Sequence, residues 1–200
     1  MRREDMPTIQ VRRWTREEYD RMIEAGVLSP EDHIELIDGE ILQVTPQGAR
    51  HATAVCMVHK ALTQVAPRNS IIRIQMPLAI GPRSAPEPDI AVVRGGLMDY
   101  SEEHPASAIL IVEVSEAAIA FDRDRKGSMY ARAGIPEYWL INLPEQCLEV
   151  YREPEEIGGA DNAWAYAKVE RLEEWQSVSP LFAPTAAIPI SDLIPRKASI

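Results

Sequence analysis

Cysteine is nearly absent from this 200-residue chain: Cys56 and Cys147 stand alone, each inside an apolar segment. Two isolated thiols build neither a disulfide framework nor a Cys/His zinc site, and they suit a reducing, cytoplasmic setting. Long apolar runs are missing too. The longest, such as Ala108 to Val112, fall far short of the about 20 residues that span a bilayer, so no membrane residence is expected. The N-terminus, Met1-Arg2-Arg3-Glu4-Asp5, leads into no apolar stretch, and no secretory signal is read there. Positive charge is scarce, with 21 Lys+Arg against 31 Asp+Glu and a net charge of −10. A protein built to coat a polyanion would be basic, so simple electrostatic binding of nucleic acid is disfavoured. There is no glycine-rich phosphate loop, and no nucleophilic triad can be assembled.

What is present is an ordinary globular composition, 46% hydrophobic and 26% charged, at a length that fits one domain. Thr15-Arg16-Glu17-Glu18 is a capping box opening a helix that should stop near Gly26. Asp38-Gly39 between Ile34–Ile37 and Glu40–Val44 signals a tight hairpin. Ala54, Val55, Val58, Leu62 and Val65 recur at helical spacing before Pro67. Ser70–Ile80 and Asp89–Val93 read as strands, and Ala108–Val114 as a central buried strand. Asp122–Ala133 should be a helix with Asp122 as its N-cap, followed by a strand at Glu137–Asn142 and its hairpin partner Cys147–Arg152. Glu155 to Gly159 reads as a surface loop, Ala163–Arg171 as an edge strand, and the proline-punctuated remainder as an irregular surface tail. This order argues for one mixed α/β domain over residues 1–200, with a core at about 14–153 and the edge strand and tail at 154–200.

The informative charges interrupt apolar strands. Glu113 breaks Ile109-Leu110-Ile111-Val112-Glu113-Val114, and Asp89 stands at the mouth of Ile90-Ala91-Val92-Val93. Alone, Glu113 reads as a strand-end residue reaching solvent or an Arg, and Asp89 as a turn residue closing the proline-rich loop. As a pair they can place oxygens around one hard cation such as Mg²⁺, the arrangement that metal-assisted phosphodiester hydrolysis needs. Lys126 is one of four lysines against seventeen arginines. It could hold or help deprotonate an attacking water and neutralise phosphoryl charge, or simply form a surface pair with Asp122. Glu35 by itself reads as a solvent-facing strand residue. His51 and His59, two helical turns apart, are too distant to share an ion. His51, beside Arg50 at a helix start, reads as a satisfied helix-end histidine.

Taken in order, several segments resemble the Uma-type putative restriction endonuclease family. They are Glu35-Leu36-Ile37-Asp38-Gly39-Glu40, Arg50-His51, Pro88-Asp89-Ile90-Ala91-Val92-Val93, Ile111-Val112-Glu113-Val114-Ser115, Phe121-Asp122-Arg123-Asp124-Arg125-Lys126, and Tyr130 through Trp139. The resemblance covers about residues 14 to 153. It implies a restriction-endonuclease-like fold, a central mixed β-sheet flanked by helices, of the PD-(D/E)xK superfamily. By the same resemblance Pro88-Asp89 is the PD element and Glu113 the following acid. The lysine normally two positions on is here Ser115, and Lys126 takes its role from the next helix. Glu35 matches the family's first acidic residue. The implied activity is Mg²⁺- or Mn²⁺-dependent hydrolysis of DNA, with Asp89, Glu113 and the Val114 carbonyl on the metal. The missing in-motif lysine and the acidic balance favour an alternative, a nuclease fold that binds or regulates without cutting. A third reading makes Glu113 and Lys126 a buried structural ion pair. Segments 145–152 and 163–169 offer edges for homodimer pairing.

Overall fold

A computed structural model describes residues 11–44, 47–158 and 163–197. The Met1–Asp5 segment and Gly159 lie outside the described residues. Helix α1 (Arg16–Glu24) begins at the expected capping box, with Thr15 accepting from the Glu18 amide and Glu18 bonding back to Thr15. Strands β1 (Ile34–Ile37) and β2 (Glu40–Gln43) pair antiparallel around Asp38 and Gly39, whose φ values of 51° and 79° make the tight turn. Helix α2 (Ala49–Thr63) buries His51, Ala54, Val55, Val58 and Leu62 along one stripe.

The main sheet has six strands: β3 (Ser70–Ile74), β4 (Ile90–Arg94), β5 (Leu110–Ser115), β6 (Glu137–Asn142), β7 (Cys147–Glu156) and β8 (Trp164–Glu173), ordered as numbered. Only β5 and β6 run parallel, and the chain between them crosses over through helix α3 (Gly127–Arg132). Strand alternation then sorts the core into two layers. Ile90, Val92, Val112 and Val114 face α2, whereas Ala91, Val93, Ile111 and Tyr138 face α3 and the hairpin.

Several expectations are corrected. Strand β3 ends at Ile74 instead of Ile80, because Gln75 turns to φ 49° and Pro77 follows. Asp122 is not an N-cap. It lies within a π-helical turn, Phe121–Lys126, that precedes α3, and it is buried there. Glu155 and Glu156 continue β7 and pair with Ala165 and Trp164 instead of opening a loop. Strand β7 is consequently an inner strand, and of the two segments proposed as edges only β8 is one. The tail does not merely cross the surface. Strands β9 (Ser177–Val178) and β10 (Ile188–Pro189) pair, and Val178, Ile188, Ile190, Leu193 and Ile194 enter the α2-side core.

Candidate active site

The β4–β5 register brings the two acids together. Ile90 pairs with Val112, so one further step of an antiparallel ladder sets Asp89 across from Glu113. Both carboxylates are buried, as are Glu35 and Lys126. All four candidate residues therefore line one cavity of about 180 Å³, together with His51, Gln47, Glu87, Val114, Ser115 and Asp122. The solvent-facing reading of Glu35 and the surface pair of Lys126 with Asp122 are both overturned. Strand ends here turn inward because the hairpin and the π turn close over them.

Lys126 Nζ lies 3.0 Å from Glu113 Oε1 and 3.1 Å from Glu35 Oε2. The Tyr130 hydroxyl donates to Glu113 Oε1 at 2.7 Å. The π turn contributes here through its wider winding, in which the Asp122 carbonyl accepts the Gly127 amide five residues on. The Tyr138 hydroxyl also donates to that carbonyl, at 3.0 Å. Arg123 grips Glu149 of β7 through Nε and Nη2 at 2.9 and 2.6 Å, tying the turn to the sheet.

Asp89 is held more firmly still. Its Oδ2 accepts the Val114 amide at 2.8 Å and lies 3.0 Å from His51 Nε2, while Oδ1 accepts from Gln75 at 3.1 Å and Gln47 at 3.3 Å. Reading the sequence as it stands misses His51, Gln47, Gln75, Glu87, Asp122 and Tyr130. His51 had a signal: it extends the Ala54, Val55, Val58, Leu62 stripe by one turn and so belongs on the buried face. Gln75 follows a strand whose register, Ile74 to Ile90, points it at Asp89.

Burial pushes the Glu113 carboxyl up, to about 8; the nearby Lys126 charge offsets this only in part, and Asp89, Asp122 and Glu35 add to it. Burial works against the Lys126 ammonium, but Glu113, Glu35 and Asp122 outweigh it and hold the amine charged. Burial likewise raises Asp122 and, at the cavity rim, Glu87. Among the described residues no three His, Cys, Asp or Glu side chains form a ready-made metal cage. The donor set nevertheless fits a hard cation that keeps most of its water, as Mg²⁺ does with one or two carboxylates. Six carboxylates line the cavity against one lysine, and both hydrogen bonds to Glu113 fall on Oε1. A divalent ion would relieve that excess of negative charge.

No curated protein matches the chain. The crystal structure of a putative nuclease belonging to DUF820 from Anabaena variabilis superposes with a TM-score of 0.60 at 21% identity, over 85% of this chain and 94% of that one. That likeness supports the mixed-sheet nuclease fold seen here. A family model described as putative restriction endonuclease, Uma2, matches residues 16–191. The ordered motifs around Glu35, Asp89, Glu113 and Lys126 fall inside that match, and the chain belongs to the Uma2 family.

Proposed function

We propose that the protein is a metal-dependent endonuclease that hydrolyses DNA phosphodiester bonds. The convergence of Asp89, Glu113, Glu35 and Lys126 on one buried cavity carries this reading. The Asp89 and Glu113 carboxylates and the Val114 carbonyl would hold Mg²⁺ or Mn²⁺. Bound there, the ion would supply Lewis acidity for a water nucleophile and neutralise charge on the scissile phosphate. Glu113, Glu35 and Asp122 favour the charged form of Lys126. It acts as a donor, orienting the attacking water and the phosphoryl oxygen that gains charge. Glu35 holds Nζ from the hairpin side, Tyr130 fixes the Glu113 rotamer, and the His51–Gln47–Gln75 set fixes Asp89.

Plasmid nicking in Mg²⁺ or Mn²⁺ tests the reading. Asp89→Asn and Glu113→Gln should lose cleavage, and Lys126→Met should lower its rate by about 10²–10³, the range of a lost charge-stabilising donor. Equal background cleavage by wild type and all three variants overturns it. One observation favours the alternative of a fold that binds without cutting: both Asp89 oxygens already accept hydrogen bonds. That alternative predicts no stabilisation by metal.

We also propose homodimer pairing through β8. Antiparallel self-pairing centred on Val169 sets each Lys168 opposite a Glu170 of the other copy, whereas centring on Lys168, Glu170 or Arg171 opposes like charges.

A further inference from the structure

About 10 Å along the hairpin from Glu35, by the rise of three strand residues, the turn at Asp38 borders a separate cavity of about 710 Å³. Arg13, Arg83 and Arg132 line it against a single carboxylate, Asp38. Arg132 pairs with Asp38, and Arg13 pairs with Glu40, which Arg125 already holds at 2.5 Å. Arg83 is exposed and has no carboxylate within 4.0 Å among the described residues. A chain of net charge −10 thus collects surplus positive charge at one place.

The frame carrying these arginines is tightly bonded. The Gly39 amide donates to the Arg83 carbonyl at 2.7 Å and the Trp14 amide to the Gly39 carbonyl at 2.8 Å. The Asp38 amide donates to Ser84 Oγ at 3.0 Å, and Arg16 Nη1 to the Gly81 carbonyl at 2.9 Å. A Cβ on Gly39 would lie 2.8 Å from the Arg13 Cβ, so the N-terminal segment sits directly on the turn. Guanidinium groups fixed on a rigid frame recognise phosphate oxygens without ordering a loop first.

Two elements connect this cavity to the candidate active site. The hairpin carries Glu35 and Asp38, and the helical segment carries Lys126 and Arg132. Six helical residues rise about 9 Å, in agreement with the strand distance. We propose that Arg83, with Arg13 and Arg132 beside it, binds a backbone phosphate of the nucleic acid flanking the bond held at Glu113 and Lys126. This rests on the nuclease reading above.

The test is duplex DNA binding by fluorescence anisotropy in EDTA, where cleavage is suppressed, for wild type, Arg83→Lys and Arg83→Glu. Arg83 is exposed and outside the catalytic cavity, and matching circular dichroism would confirm that the variants fold. Arg83→Glu should bind about tenfold more weakly, or ~1.4 kcal/mol. It should also lower the slope of log K against log salt by about one, and Arg83→Lys should bind between the two. A parallel thermal shift with inorganic phosphate separates the sources. If phosphate stabilises wild type while Arg83→Glu binds DNA unchanged, the cavity takes free anions and the proposal falls. If wild type cuts DNA in Mg²⁺ and Arg83→Glu binds it normally, the proposal falls and the nuclease reading stands. If wild type cuts nothing while Arg83→Glu loses DNA binding, the anion site stands and the nuclease reading falls.

Discussion

At the scale of single residues, Glu113 and Lys126 carry an electrostatic burden that neither could sustain alone. Removing one partner of a buried ion pair typically costs ~3–5 kcal/mol, because the other is left as an uncompensated charge. Lys126→Met should approach that figure, since it strands Glu113 and Glu35 together. Glu113→Gln should cost less, because Glu35 still neutralises the amine 3.1 Å away. Chemical denaturation of the metal-free protein checks this ordering, and equal losses would contradict it. Metal makes a second, independent prediction. Mg²⁺ at a hundred times its Kd should add ~2.7 kcal/mol to wild-type stability, and Asp89→Asn should lose that gain in a thermal melt. Flat melts for wild type would favour the fold that binds without cutting. The acids were legible in the sequence because a charge inside an apolar strand is conspicuous. Their holders were not: Gln47, Gln75 and Tyr130 are ordinary residues until strand register and helix winding aim them at Asp89 and Glu113.

The elements that aim those residues can be tested separately. The π turn is anchored to β7 by the Arg123–Glu149 fork, with Tyr151 and Asn142 also bonding Glu149. Burial acts to raise the Glu149 carboxyl, but the Arg123 bonds and then those of Tyr151 and Asn142 outweigh it and hold the carboxyl below its ordinary 4.5. A lowered folded pKa means that the unfolded chain binds the proton first as pH falls. The anchor's stability is therefore present above about pH 4.5 and is lost as pH drops through the folded value. Urea melts from pH 7 downward should show wild type converging on Glu149→Gln, and parallel curves would contradict the anchor. The winding of this segment was invisible in the sequence. Its sequence satisfies an ordinary helix, and the backbone bond from the Gly127 amide back to the Asp122 carbonyl is what reveals the wider turn. The tail is illegible in the sequence for a related reason. Its prolines signal irregular backbone correctly, but Glu137, fully buried, accepts the Arg152 fork at 2.9 and 2.6 Å and the Leu181 amide at 2.7 Å. Irregular chain is thereby pinned over the core.

On the scale of the whole molecule, the net charge of −10 is unevenly spread. Residues 41–86 hold no Asp or Glu, while residues 137–174 hold ten against three basic residues. Much of that acidic stretch is β7 and β8, which contribute no lining residue to either cavity, so the overall sign says little about either site. It bears instead on self-association. Strand β8 leaves one edge of the main sheet unpaired, with Val169 55% exposed and Trp175 81% exposed just beyond it. Exposed edges invite pairing, and alternating charge is the usual deterrent. Here the alternation is self-complementary when Val169 faces its own copy, which places two Lys168–Glu170 contacts across the axis. One strand edge supplies less than the roughly 1,600 Å² of a standard stable interface, so the dimer should be weak and concentration-dependent. Sedimentation at rising concentration should show dimer for wild type and monomer for Lys168→Glu, where four like charges meet. Adding Glu170→Lys to Lys168→Glu restores opposite charges at the same positions and should restore the dimer. A wild type that stays monomeric at millimolar concentration, or a double variant no better than the single one, would rule out this register.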